Sequence, residues 1–340
     1  MYRKIMGFLE AWKENEHRKP LILQGARQVG KTYSILEFGR IHYENVAYFN
    51  FETNPKLNET FEEKISPDYL IPILSHIAGQ TIVKEKTLIV FDEVQLCERA
   101  LTSLKYFCED APDYHIIVAG SLLGVAVNRA KFSFPVGKVD MKTLYPMDME
   151  EFMIAVGEDE LVEQIKKCFE TNRPMPSALH DAAMQLYRQY LVVGGMPECV
   201  MQFVQTGDYI LIRHTQDTIL TSYLNDMSKY NNLNEIKKTR LAYDNITVQL
   251  SKKNTRFQYK LIKKGGRASE FENAIEWLCL SGIVSQVYRV EQIKKPLENY
   301  RDIDAFKIYV SDLGLLCAKK DLAANDILYM VEELNDFKGG

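Results

Sequence analysis

A glycine-flanked segment near the amino end restricts the possible folds of this chain more than any other feature. Residues 25–32 read Gly-Ala-Arg-Gln-Val-Gly-Lys-Thr and fit the pattern G-x-x-x-x-G-K-[ST] at every fixed position. A short apolar run at 21–23 precedes the segment, and a helical pattern at 33–38 follows it. This strand–loop–helix context predicts a loop whose backbone N–H groups turn inward and bind phosphate.

Each fixed residue of this loop has a chemical purpose. Gly25 and Gly30 allow the backbone to curl toward phosphate oxygens, and the following helix adds the positive end of its dipole. Lys31 is expected to reach the β- and γ-phosphates of ATP, and the Thr32 hydroxyl to ligate Mg²⁺. The alternative is a glycine-rich turn without a ligand. The predicted nucleotide-binding residues are Gly25, Ala26, Arg27, Gln28, Val29, Gly30, Lys31, Thr32 and Tyr33.

Two acids close a buried strand pattern further along the chain. Residues 87–91 (TLIVF) are followed directly by Asp92 and Glu93. Because unpartnered buried carboxylates are unfavourable, the pair predicts a cation or a catalytic role, although an ordinary solvent-facing strand end is the alternative. Asp92 is expected to hold Mg²⁺, directly or through water, and Glu93 to activate the water that attacks the γ-phosphate. The pair therefore favours hydrolysis over phosphate transfer to a hydroxyl substrate.

Ser121 is the third catalytic candidate, with Glu93 and Lys31. It follows the strand pattern at 115–119, and its hydroxyl would lie beside the γ-phosphate if that strand runs between the other two. A helix N-cap is an equally compatible role for this serine. Strand patterns at 21–23, 45–52, 87–91 and 115–119 alternate with helical ones. The predicted fold class is therefore α/β, a parallel sheet with helices on both faces.

Beyond about Pro146 the pattern changes to helices alone. Helical patterns cover residues 147–156, 161–170, 180–193 and 210–229. The Gly194-Gly195-Met196-Pro197 segment predicts a helix stop followed by a new helix start. A strand pattern returns at 283–290, and residues 306–310 are expected to pair with it.

Composition excludes several classes of protein. With 46% hydrophobic residues, 26% charged residues and a net charge of −4 over 340 residues, the chain is neither disordered nor a polycation. Its longest nearly uncharged apolar stretch, 116–127, is shorter than the roughly 20 residues that a membrane span needs. The amino end lacks the apolar core of a secretion signal. The six cysteines form no CxxC pair, which predicts reduced thiols and a cytoplasmic location.

Positive charge is concentrated late in the chain. Residues 237–301 hold 14 Lys and Arg against 6 Asp and Glu, which predicts a separate functional module. Ser269 and Glu272 fit a capping box, which predicts the start of a helix. Residues 270–281 contain three glutamates and no basic residue, so base readout by this helix is disfavoured. Its basic flanks remain candidates for contact with a nucleic-acid backbone; packing on the acidic remainder of the chain, or simple solvation, is the alternative.

These segments together resemble a bacterial and archaeal family of AAA+-like ATPases that carry a C-terminal domain of unknown function of the DUF4143 type. The matching segments are GARQVGKT (25–32), FDEVQ (91–95), SLKYF (103–107), AGSLLGVAV (119–127), SFPVGKV (133–139), LYPMDMEEF (144–152), GGMPE (194–198) and YVSDLGLL (309–316). The resemblance implies an extra strand between the Lys31 strand and the Asp92 strand. It implies four segments: a P-loop ATPase domain (1–155), a helical lid or linker (156–230), a winged-helix-like module (231–325) and the truncated start of a further domain (326–340), which is nuclease-like in some members of the family.

Three residues are candidates for completing or controlling the site. Many relatives have Gly-Arg where this chain has Gly137-Lys138, and Lys138 keeps the charge but loses the planar fork of arginine. Arg129 is a second candidate for a cation that completes the site of a neighbouring subunit, and a solvated surface cation is the alternative for both. Asn50, at the end of the second strand, is hypothesised to hold Glu93 inactive until a partner binds.

The leading functional hypothesis is Mg²⁺-dependent ATP hydrolysis coupled to rearrangement of the winged-helix-like module. The alternative is a nucleotide-controlled switch that binds DNA or a protein and hydrolyses little. A phosphotransferase is a third and weaker hypothesis. The predicted partners are ATP and ADP, with nucleic acid at 237–301, a protein partner or self-association as further candidates, and no membrane.

Overall fold

The computed structural model describes residues 1–121, 134–229, 233–252 and 256–329. Contacts divide the chain into two compact units, one of Tyr2–Tyr145 and one of Met1 with Pro146–Gly340. Arg129 lies outside the described residues, as does most of the predicted segment 326–340. The boundaries at 155, 230 and 325 therefore stay predictions. Among the described residues, no helix has the length and apolar character to span a membrane.

The first unit is built on a five-stranded sheet. Its strands are β1 (Leu21–Gly25), β2 (Asn45–Asn50), β3 (Thr87–Asp92), β4 (His115–Ser121) and β5 (Asp140–Thr143). All pairs are parallel, in the order β2-β3-β4-β1-β5. The α/β prediction is confirmed, and β4 lies between β1 and β3 as the resemblance implied. Because parallel strands end at one edge, Gly25, Asn50, Asp92 and Ser121 reach the same edge of the sheet.

Helices cover the sheet and bury its central strands. They are α1 (Ile5–Glu14), α2 (Lys31–His42), α3 (Leu57–Thr60), α4 (Pro67–Ala78) and α5 (Glu98–Asp110). Every residue of β3 is buried. The Phe91 ring packs against those of Phe49, Phe51 and Phe61, with centroids 5.7–5.9 Å apart. This aromatic cluster holds the strand that carries Asp92 in place.

The second unit is mainly helical. Its helices are α6 (Met149–Ala155), α7 (Asp159–Glu170), α8 (Ser177–Val193), α9 (Pro197–Thr206), α10 (Tyr209–Lys229), α11 (Leu233–Leu250), α12 (Tyr259–Ile262), α13 (Ala268–Leu280), α14 (Leu313–Lys319) and α15 (Ala324–Leu328). One antiparallel hairpin joins β6 (Val284–Val290) to β7 (Arg301–Val310), so the predicted strand pairing is confirmed. The predicted stop at Gly194 and restart at Pro197 also hold.

One local prediction is wrong, and one strand was not predicted. The Ser269 capping box is wrong, because α13 begins at Ala268 with Arg267 in the cap position and no capping side chain. A capping box instead opens α6, where the Asp148 side chain accepts from the Glu151 N–H at 2.9 Å. Sequence analysis also missed β5, whose residues Asp-Met-Lys-Thr lack an apolar run. Among the described residues β5 lies at the edge of the sheet and pairs only with β1, so it does not need one.

Three of the family-like segments meet in the second unit. The Gly195 N–H donates to Asp312 Oδ2 at 2.6 Å, and the Gly195 carbonyl accepts from the Met147 N–H at 2.7 Å. A Cβ at Gly194 would lie 2.3 Å from Asp312 Oδ1. Burial raises the pKa of the Asp312 carboxyl to about 6, although the N–H groups of Leu315, Gly195 and Gly314 oppose the shift. The GGMPE segment thus has a packing role, set by close approach of backbones.

Candidate nucleotide-binding site

The glycine-flanked loop joins the carboxyl end of β1 to the first turn of α2. Gln28 and Gly30 have φ of 65° and 90°, so two residues of the loop have left-handed backbone conformations. Gly30 is the cap residue of α2, whose first N–H groups have no acceptors within the helix. A Cβ at Gly25 would lie 2.3 Å from the Leu144 carbonyl oxygen, so glycine is also needed there for packing.

The Lys31 side chain folds back over the loop. Its ammonium donates to the carbonyls of Gly25 at 3.0 Å and Ala26 at 2.8 Å. Burial lowers the pKa of Lys31 to about 8, and the negative charges of Glu93 and Asp92 partly oppose the shift. A cation is therefore held inside the curled loop, next to the two acids.

Thr32 and Asp92 are in direct contact despite their separation in the sequence. Thr32 Oγ1 donates to Asp92 Oδ2 at 2.9 Å, and the Glu93 N–H donates to Asp92 Oδ1 at 3.0 Å. The Asp92 residue is 4% exposed. A hydroxyl and a carboxylate are hard oxygen donors of the kind that Mg²⁺ prefers. The two predicted metal ligands are therefore placed together, and their chemistry fits the ion.

Tyr48 is a site residue that sequence analysis did not identify. Its hydroxyl donates to Asp92 Oδ2 at 2.7 Å. Burial raises the pKa of Tyr48 to about 12, so the hydroxyl keeps its proton at neutral pH. The available signal was the period of two along β2, because Asn50 pairs with Asp92 in the register and Tyr48 is two residues earlier on the same face.

Glu93 has an unusual backbone conformation and a side-chain partner. Its φ is 53°, a region that residues other than glycine rarely adopt and that is often found at functional sites. The Gln95 amide donates to Glu93 Oε2. The hypothesis that Asn50 holds Glu93 is wrong: the Asn50 amide donates to the Tyr48 hydroxyl at 3.1 Å, and its carbonyl accepts from the Glu52 and Thr53 N–H groups.

The remaining candidates lie at different distances from the loop. The Ser121 backbone is opposite Gly25 in the β1–β4 register, which places its Cα beside the loop; its catalytic role stays a prediction. Tyr33 is 52% exposed in the first turn of α2. Lys138 pairs with Glu109 at 2.9 Å and precedes β5, at the amino edge of the sheet. It cannot contact phosphate at its own loop, and a contribution to a neighbouring subunit stays a prediction.

The strand order, the loop after β1 and the acids after β3 define a P-loop NTPase. Residues 17–153 match the model of a family described as an AAA domain, and residues 184–326 match one described as a domain of unknown function (DUF8612). Residues 17–153 therefore form an AAA-type P-loop domain, and a domain of unknown function follows it along the chain. The C-terminal match is to DUF8612, whereas the sequence resemblance named DUF4143.

One solved structure supports the fold, and two others are similar to a lesser degree. The Walker-type ATPase PabY2304 of Pyrococcus abyssi is similar over 94% of this chain and 95% of that chain, with a TM-score of 0.56 and 14% identity. The RuvB Holliday junction branch migration motor of Thermotoga maritima is similar over 83% of this chain and 87% of that chain, with a TM-score of 0.36 and 14% identity. The structure of the Aeropyrum pernix Orc1 protein in complex with DNA is similar over 94% of this chain and 91% of that chain, with a TM-score of 0.29 and 12% identity. No curated protein matches the chain.

Proposed function

We propose that this chain binds ATP with Mg²⁺ at the loop of residues 25–32 and hydrolyses it. The observation that carries the proposal is the Thr32–Asp92 hydrogen bond of 2.9 Å, because it joins the phosphate loop to the acidic strand end. Membership of the P-loop ATPases supports nucleotide binding. Hydrolysis is proposed to be coupled to rearrangement of the winged-helix-like module.

The residues of the site have separable tasks. The loop N–H groups and the Lys31 ammonium would bind the phosphates, while Thr32 and Asp92 would hold Mg²⁺. The ion supplies positive charge that offsets the charge developing on the phosphate oxygens. Tyr48 orients Asp92 through its 2.7 Å hydrogen bond. Glu93 would accept the proton of the attacking water, while the Gln95 amide donates to its Oε2.

Replacement of Glu93 by glutamine tests the hydrolytic step. The amide has nearly the same shape but cannot accept a proton, so we expect kcat to fall by about 100-fold or more while ATP affinity stays close to that of the wild type. Turnover is measured by phosphate release and affinity by calorimetry. The matched control is Glu16→Gln, an exposed glutamate in the same unit. Unchanged turnover in Glu93→Gln would remove Glu93 from the catalytic role.

Nucleic-acid binding by the basic region is a second candidate function. Several of its cations already have partners: Lys238 pairs with Glu235, Lys263 with Glu270 and Arg289 with Asp302. Lys294 and Lys295 lie instead in the hairpin connection, where residues 291–299 are all exposed. The order of α11, α12 and α13 before a hairpin supports the proposed winged-helix-like module. The observation that favours this function is the pair of exposed lysines at the hairpin end.

Salt titration of duplex DNA binding by the full chain tests this candidate. The affinity for DNA falls as the salt concentration rises. If both lysines contact phosphates, the double variant Lys294→Glu, Lys295→Glu makes the slope of log K against log salt less steep by about 2. The charge-matched control is Lys56→Glu with Lys64→Glu, two exposed lysines of the first unit. Binding that does not depend on salt, or equal loss in both double variants, would contradict a DNA contact at the hairpin.

A further inference from the structure

A buried arginine at the amino end of the chain lies against the nucleotide-binding loop. Arg3 is 4% exposed. Its Nη1 donates to the Val29 carbonyl at 3.0 Å, and its Nη2 donates to the Tyr145 carbonyl at 2.8 Å. One guanidinium therefore bridges the loop between β1 and α2 to the segment that follows β5. Arginine is rarely buried unless its donors are used, so this bridge accounts for the position.

The Tyr145 end of the bridge is itself anchored to β1. The Leu144 N–H donates to the Gln24 carbonyl at 2.7 Å. The Leu144 carbonyl oxygen fills the space beside Gly25, where a Cβ would come within 2.3 Å of it. Because this segment is attached to the sheet, Arg3 holds the loop against a fixed support.

At the Val29 end of the bridge, Arg3 contacts a peptide between two residues of left-handed backbone conformation. Val29 lies between Gln28 and Gly30, whose φ values of 65° and 90° are both left-handed. In a planar trans peptide, the carbonyl of one residue and the N–H of the next point in opposite directions. By holding the Val29 carbonyl, Arg3 directs the Gly30 N–H away from itself. Loops of this kind bind phosphate through such N–H groups.

We propose that Arg3 is a positioning residue for nucleotide binding, which acts by orienting the Val29–Gly30 peptide so that its N–H faces the β-phosphate. The proposal rests on the proposed function, because it requires that the loop binds a nucleoside di- or triphosphate. Arg3 acts through the backbone and does not touch the nucleotide. Lysine would keep the positive charge but not the planar fork that reaches two carbonyls. The substitution Arg3→Lys therefore separates orientation of the peptide from long-range attraction of anions.

Calorimetric titration of ATP and ADP into the full chain tests the proposal. For Arg3→Lys we expect affinity for both nucleotides to fall about tenfold, as for loss of one charge-assisted hydrogen bond. KM for ATP should rise by a similar factor, while kcat at saturation stays within about twofold. The matched control is Arg40→Lys, because Arg40 also makes a two-pronged contact, to Glu37, on an exposed face of α2. That variant should bind as the wild type does.

Thermal unfolding monitors whether the variants are folded. If the lysine variant does not fold, Arg3→Gln takes its place, because the shorter glutamine has one donor nitrogen where Arg3 uses two. Wild-type affinity in a folded Arg3 variant overturns the inference, as does a loss of kcat with no change in KM. A wild-type chain that binds neither nucleotide overturns the proposed function itself. The two failures are therefore distinguishable, because only the first occurs in a chain that binds ATP.

Discussion

Replacement of Lys31 by alanine is expected to lower ATP affinity by about 100-fold or more. The ammonium lies inside the loop, where it donates to the carbonyls of Gly25 and Ala26 at 3.0 and 2.8 Å. Burial lowers its pKa to about 8, so most of the population carries the charge at pH 7. Charge-assisted hydrogen bonds to phosphate are about twice as strong as neutral ones. Removing this cation therefore removes a charge-assisted side-chain contact that the loop offers a phosphate.

Calorimetric titration with ATP, with and without Mg²⁺, measures the effect. Lys56→Ala is the control, because Lys56 is an exposed lysine of the same unit. We expect the control to bind as the wild type does, and Lys31→Ala to show the loss in both conditions, because the contact is to phosphate. An affinity within threefold of the wild type would show that the phosphates do not enter the loop.

Replacement of Gly195 by alanine is expected to destabilise the second unit by more than about 3 kcal/mol. The added Cβ would lie 1.9 Å from the Met147 carbonyl oxygen and 2.7 Å from the Met147 nitrogen. These are backbone atoms and cannot turn aside as a flexible side chain would. Relief of the overlap must also weaken the 2.7 Å hydrogen bond from the Met147 N–H and the 2.6 Å bond to Asp312.

Gly207→Ala is the matched control for this prediction. Gly207 ends α9 with φ of 62°, and a Cβ there would meet nothing within 4 Å. Its substitution carries only the strain of a left-handed alanine, about 1–2 kcal/mol. Urea unfolding followed by circular dichroism compares the two variants. Equal destabilisation would show that the Gly195–Met147 approach is not a close one in solution.

The sheet could largely be anticipated from local patterns. β3 is apolar from Leu88 to Phe91 and buried on both faces, so residues 87–91 predict a central parallel strand without further information. β5 could not be anticipated, because a strand at the edge of the sheet that the structure describes needs no apolar run. The Ser269 capping box failed for a related reason. The capping-box pattern depends only on side-chain types. The helix start depends on the backbone, which is extended at Arg267 and becomes helical at Ala268.

Some features of the candidate site could likewise be predicted from local patterns, and others could not. The glycine loop and the acidic pair are each continuous in the sequence, so the order of residues alone indicates their chemistry. Tyr48, Gln95 and Arg3 were not identified, because each acts through a hydrogen bond to a residue on another element or in a tight turn. Asn50 was assigned to Glu93 from its place at a strand end. In the structure, the Asn50 amide donates to the Tyr48 hydroxyl instead.

The sequence by itself determined that this chain has a phosphate-binding loop between a strand and a helix, and two acids at the end of a buried strand. Backbone curling at glycine and burial of apolar strands are local properties, and local patterns record them. Only the tertiary structure decided which side chains meet there: Thr32 with Asp92, Tyr48 with Asp92, and Arg3 with Val29. The physical reason is that parallel pairing brings together strand ends far apart in the sequence, and a hydrogen bond depends on that final separation of atoms.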